Sequence, residues 1–92
     1  MTILHEIDRE HWQFILYESD AGELFVDMVY SPVSVVDTTM LIRLNKEEEN
    51  WARNDRERFV EHVGHMRYYF TRYIERREDY EQFELKTKKP SS

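Results

Sequence analysis

Ile42-Arg43-Leu44-Asn45-Lys46-Glu47-Glu48 is where the hydrophobic period of this chain changes. Upstream, from Trp12 to Leu44, apolar residues recur mostly at every second position. That is the period of a strand, whose side chains alternate between two faces. Downstream, from Phe59 to Ile74, they recur at every third or fourth position, as on an amphipathic helix. Asn45 at the junction has the chemistry of a helix N-cap, and Glu48, three residues on, completes a capping box. Glu47 to Glu49 suit the positive end of the helix dipole. The order is therefore sheet first, helix second.

Working back from the junction, three strands are predicted: Trp12–Tyr17, Leu24–Tyr30 and Val35–Leu44. Ser19-Asp20-Ala21-Gly22 supplies a hairpin turn, with Gly22 free to adopt the left-handed conformation. Ser31-Pro32 ends the second strand, because proline cannot donate to the ladder. In residues 1–11, Ile3, Leu4 and Ile7 suit either a short strand or one turn of helix, and residues 2–8 are available as a fourth strand. Working forward, Ala52, Phe59, Val63, Met66, Phe70, Tyr73 and Ile74 fall within roughly 100° of arc at 100° per residue. Asn54-Asp55 interrupts this pattern, and Asn54 with Glu57 repeats the cap spacing. One continuous helix and two helices, over 46–53 and from 55, both remain open. Gly64 lies off the stripe, where it signals a close backbone approach or nothing. The expected fold is α+β: a three-stranded antiparallel meander, or four-stranded with residues 2–8, in two layers with a long C-terminal α-helix. Residues 1–77 form the domain and 78–92 a frayed tail.

The two sheet faces differ. Trp12, Phe14, Leu16, Leu24, Val26, Met28, Tyr30, Val36, Met40, Ile42 and Leu44 share the richer one, which the helix should cover. Ile15, Tyr17, Phe25, Val29 and Leu41 lie on the other, too many apolar groups for a wetted surface. That face requires residues 1–11, a second subunit or another partner. These five residues, with Trp51, Tyr69 and Tyr73 on the helix flank, form the candidate interface.

Composition bounds the function. The 92 residues contain no cysteine, so disulfides and thiolate metal sites are excluded. The first ten residues carry acids and no signal-peptide block, which makes cytoplasmic residence the expectation. Residues 1–50 hold 3 basic and 11 acidic side chains, or −8; residues 51–92 hold 10 and 8, or +2. An acidic sheet disfavours nucleic acid and anionic membranes. Arg67-Tyr68-Tyr69-Phe70-Thr71-Arg72-Tyr73 interleaves arginine and aromatics, but a helix scatters them, and a protein interface suits them better than stacked bases.

Other constellations are sparse. His62 and His65, with Glu61, and His5 and His11, with Glu6, Asp8 and Glu10, would hold a metal only if a further ligand converged. Asp27 and Asp37, with Glu18 near, could do acid–base work if one were desolvated. Acids that keep a strand soluble and deter edge pairing are the expected reading, since no nucleophile motif or histidine is tied to them. Phosphate-cradling loops and nucleophile motifs are missing. No catalytic, cofactor or metal residue is assigned. The expectation is a non-enzymatic protein-interaction module that forms a homodimer. The alternatives are a small acidic inhibitor or immunity-type protein that masks a basic partner, and a small-ligand or metal site under the helix.

Trp12-Gln13-Phe14, the turn at Ala21-Gly22, Leu24-Phe25-Val26, Ser34-Val35-Val36-Asp37 and Leu44-Asn45-Lys46-Glu47-Glu48 together resemble small uncharacterised bacterial proteins of unknown function. These are built as a β-meander closed by a helix. The resemblance covers residues 12–50 and implies a stand-alone bacterial domain, with no activity to carry over.

Overall fold

A computed structural model describes residues 1–33 and 36–88. Five strands, β1 (Thr2–Glu10), β2 (Phe14–Ser19), β3 (Leu24–Val33), β4 (Val36–Arg43) and β5 (Phe83–Lys86), form one sheet in the order β4-β3-β2-β1-β5. The first four pair antiparallel, and β5 runs parallel to β1 with Thr2 opposite Phe83 and Leu4 opposite Leu85. The fold is thus α+β, but the sheet is mixed and five-stranded rather than a three- or four-stranded meander. β3 continues through Ser31-Pro32, where a break was expected, and its pairing with β4 shifts register between Tyr30 and Val33. The start of the third strand at Val35, and the end of the tail from Lys89, lie outside the described residues.

The long C-terminal helix is two helices, α1 (Lys46–Asn54) and α2 (Arg56–Tyr68). Asn45 caps α1 as its sequence suggests: its side chain accepts from the Glu48 N–H at 2.8 Å, and Glu48 accepts from the Asn45 N–H at 2.9 Å. The second cap is Asp55, not Asn54; its carboxylate accepts from the Arg58 N–H at 3.3 Å. α2 stops at Tyr68 instead of running to Ile74, and 3-10 turns at Phe70–Arg72 and Ile74–Arg76 follow. No described helix is long and apolar enough to cross a membrane.

The helices cover the richer face. Phe14, Leu16, Leu24, Val26, Met28, Met40, Ile42 and Leu44 pack with Phe59, Val63 and Met66 in one cluster. Trp12 and Val36 do not join it. Trp12 turns the β1–β2 corner at φ +61 and is 76% exposed, and Val36 lies near the outer end of the β3–β4 hairpin.

The chain itself shelters the second face. Past Arg77, which bridges to Ile42 on the β4 edge, the Glu78 N–H donates to the Leu41 carbonyl at 2.7 Å. A 3-10 turn at Tyr80–Gln82 then crosses the face, and β5 closes the far edge. Leu4, Tyr17, Phe25, Leu41 and Phe83 form a second buried cluster, with Ile15 and Leu85 at its margin. β5 and β3 are three strand spacings apart, about 14 Å across a flat sheet. Yet the Phe83 and Phe25 rings meet at 5.1 Å, so the sheet curls round them. A register shift in β1 between Glu6 and Asp8 fits that curvature. Residues 78–86 are therefore not frayed.

Gly64 has no close neighbour: a Cβ built there would meet nothing within 4 Å. Gly64→Ala should raise stability by about 0.5–1 kcal/mol through helix propensity, read as a higher urea midpoint.

Candidate functional site

Two regions carry unusual side-chain groupings. The first is the outer flank of α2. Trp51 from α1 meets the His62 ring at 5.0 Å, and Tyr73, carried back by the 3-10 turns, meets His62 and His65 edge-on, each at 6.4 Å. His65 contacts Tyr69 at 4.7 Å, and Tyr69 contacts the exposed Tyr68 at 4.8 Å. Guanidinium groups stack on three of these rings: Arg58 over Trp51 at 4.7 Å, Arg72 over Tyr69 at 4.6 Å and Arg76 over Tyr73 at 5.8 Å. Such stacking uses the negative face of the ring and stays effective when partly desolvated. Trp51 and Tyr73 are partly buried at the rim of the core, while Tyr69 is exposed.

Glu48 anchors this flank from beneath. It is buried, yet its carboxylate accepts from His62 Nε2 at 2.6 Å and from Arg76 at 2.5 and 3.1 Å, besides the Asn45 N–H. One side chain thus ties α1, α2 and the turn at Ile74–Arg76 together. Burial pushes its carboxyl upward, but these donors outweigh burial and hold it at about 2. The capping-box spacing shows Glu48 at the helix start; its second role depends on Arg76, 28 residues away.

The second region is the covered sheet face. The Tyr80 hydroxyl donates to Asp27 Oδ1 and lies 2.8 Å from the Thr39 hydroxyl. Burial raises the Asp27 pKa, opposed by the Tyr80 hydrogen bond. Burial also pushes the Tyr17 phenol up to about 12, with the Asp27 and Glu6 charges adding to it. A cleft of about 550 Å³ bordered by Tyr30, Thr39, Arg77 and Tyr80 lies on one side of this trio. A pocket of about 180 Å³ bordered by Trp12, Ile15, Asp27 and Val29 lies on the other.

The candidate interface residues divide between these regions. Tyr17, Phe25 and Leu41 are buried inside the chain and present no outer surface, because residues 77–85 lie over them. Ile15 and Val29 are half-buried at the smaller pocket. Trp51, Tyr69 and Tyr73 converge on the flank with His62 and His65. Tyr80 and Phe83 were missed as part of a tail, although Phe83-Glu84-Leu85-Lys86 alternates as a strand does.

The remaining constellations disperse. Asp37 accepts from the Ser31 hydroxyl at 2.5 Å and does not meet Asp27. Glu18 pairs with Arg53 at 3.0 Å, and His5 with Asp20 at 3.3 Å. Asp8 and Glu10 both hold Arg56, at 2.7 and 3.1 Å. Among the described residues no three His, Asp or Glu side chains converge as a metal site. Arg67 reaches inward and donates to the Val29 carbonyl at 2.6 Å, whereas Tyr68 points to solvent, so the arginine–aromatic run scatters as a helix requires. No protein-family model, curated protein or solved structure matches the chain.

Proposed function

We propose that this chain is a non-enzymatic protein-interaction module that pairs with a second copy of itself through the aromatic–arginine flank of α2. The observation that carries this reading is the continuous row of rings from Trp51 to Tyr68, with Arg58 and Arg72 stacked on its outer side. Tryptophan, tyrosine and arginine dominate the energetic centres of interfaces, because each covers much area with few rotatable bonds or with several fixed donors. A two-fold interface must be self-complementary. In support, the flank carries both signs of charge, with Glu61 and Arg58 bordering the same surface depression beside Trp51 and His62. Two copies related by a two-fold axis could exchange these charges around the rings.

The acidic sheet gives less support to an inhibitor that masks a basic partner. Six of the eleven acids in residues 1–50 already pair with an arginine of this chain: Glu6 with Arg9, Asp8 and Glu10 with Arg56, Glu18 with Arg53, Glu23 with Arg43 and Glu48 with Arg76. Three of these acids, Asp8, Glu10 and Glu18, join the sheet to Arg56 and Arg53 on the helices, so part of the charge asymmetry has an intramolecular use.

Light scattering from micromolar to millimolar concentration should give the mass of a dimer at the upper end. Trp51→Ala and Tyr69→Ala should each weaken pairing at least tenfold, about 1.4 kcal/mol. A monomer throughout that range would rule the reading out.

A further inference from the structure

On the opposite side of the sheet from the pairing flank, the pocket of about 180 Å³ beside Trp12 combines two features that folding alone does not explain. The first is Trp12. It holds a left-handed backbone at φ +61, which costs a bulky residue about 1–2 kcal/mol. With 76% of its surface exposed, burial does little to offset that cost. Strain retained at an exposed aromatic residue is a mark of a contact group. The second is Asp27. Its Oδ1 accepts from Tyr80, and its Oδ2 takes no hydrogen bond among the described residues. Glu6, Asp8, Glu10 and Glu18 on the same sheet each pair with an arginine, whereas Asp27, like the exposed Asp37, pairs with no cationic side chain among the described residues, and of these two only Asp27 is half-buried. A half-buried carboxylate without a counter-ion is costly, and a bound cation would supply one.

The other charged groups bordering the pocket are engaged elsewhere. Arg9 donates to both oxygens of Glu6 at 2.9 and 2.8 Å, and Glu10 accepts from Arg56. His11 stands edge-on to Trp12 at 5.2 Å. Ile15 and Val29 provide an apolar wall, and Trp12 offers a ring face that attracts cations. The volume is below that of a pocket for a drug-sized ligand and suits a single ring.

We propose that this pocket binds a small organic cation, an ammonium group on a compact aromatic body. The charge would sit at Asp27 Oδ2, and the body between Trp12 and the Ile15–Val29 wall. This site does not depend on the pairing of two copies.

The test is a titration of the full chain with benzylammonium and, separately, with neutral benzyl alcohol, followed by backbone amide NMR shifts. Benzylammonium should give saturable shifts at residues 12–15, 27–29 and 39, with affinity at least tenfold above that of the alcohol. Asp27→Asn, which keeps an acceptor for Tyr80, should erase that preference. Trp12→Asn, whose side chain tolerates the left-handed backbone, should stay folded and bind benzylammonium at least fivefold more weakly. Absence of saturation, equal affinity for the two probes, saturable shifts confined to other residues, or a preference that survives Asp27→Asn would overturn the proposal. If Asp27→Asn does not fold, the two-probe comparison and Trp12→Asn decide it.

Discussion

Glu48→Ala is expected to lower the unfolding free energy by about 3 kcal/mol, the lower end of the range for breaking a buried ion pair by removing one partner. The lower end applies because Arg76, at 34% side-chain exposure, keeps some access to water. For a domain of this size the fall in Tm would be roughly 12–24 °C. The loss is large because four donors share one carboxylate. Without it the Asn45 N–H loses its cap, His62 and Arg76 lose an acceptor, and the turn carrying Tyr73 comes free of α1. The pairing flank should suffer as well, since Tyr73 reaches His62 only while that turn is held.

The same carboxylate makes a prediction about pH. Its folded value of about 2 lies below the ordinary 4.5. A group depressed by folding stabilises fully above its unfolded value, and its contribution is lost as pH falls through the folded one. The gap from 4.5 to about 2 corresponds to about 3 kcal/mol. Stability should therefore fall as pH drops from about 4.5 towards 2. Glu6, lowered chiefly by its hydrogen bond from Arg9 and opposed by burial, adds to the loss in the same window. Urea unfolding at successive pH values measures the slope. Glu48→Gln should retain only the shallower dependence left by Glu6; an equally steep loss in that variant would contradict the role given to Glu48.

Some of this arrangement was legible in the sequence for physical reasons. Asn45 and Glu48 form a local cap, and local hydrogen bonding is readable from spacing. Alternation in Leu24–Tyr30 and Met40–Leu44 assigned the face that the helices cover. It also exposed a surplus of apolar groups on the other face. What met that surplus was harder to read. Phe70–Arg72, Ile74–Arg76 and Tyr80–Gln82 are short 3-10 turns, whose period of three is indistinguishable from 3.6 over so short a span. Tyr73 and Ile74 thus looked like a continuing α-helix, and Arg76-Arg77 like its solvated end. Phe83 and Leu85, set among charged residues, make a four-residue strand whose pairing with β1 is distant in sequence. Trp12 misled in another way. Its bulk favours a strand, and nothing in its identity marks a corner residue at positive φ. Trp51, Tyr69 and Tyr73 stand on one flank in the fold, but the histidines that join them and the carboxylate beneath are set by tertiary contacts.

Ending the chain after Glu78 is expected to have the larger effect. The truncation removes Tyr80, Phe83 and the parallel pairing of β5 with β1, leaving Leu4, Tyr17, Phe25 and Leu41 open on one side. Truncating one buried aromatic residue alone costs about 3–5 kcal/mol. A domain of this size has only about 5–15 kcal/mol in total. The shortened chain should therefore either unfold at low urea or associate through its bare face and the unpaired β1 edge. Light scattering distinguishes these results, and both differ from the intact protein. Association after truncation would be especially telling, because it would transfer to a second molecule the role that residues 79–86 play within one. The proposed pairing of the intact chain uses a different surface, the flank of α2, where Tyr68 and Tyr69 stand exposed. A truncated chain that stayed monomeric with an unchanged urea midpoint would mean that β5 contributes nothing to closing the second face. The division between an internally sealed sheet and an outward-facing helix flank would then fail.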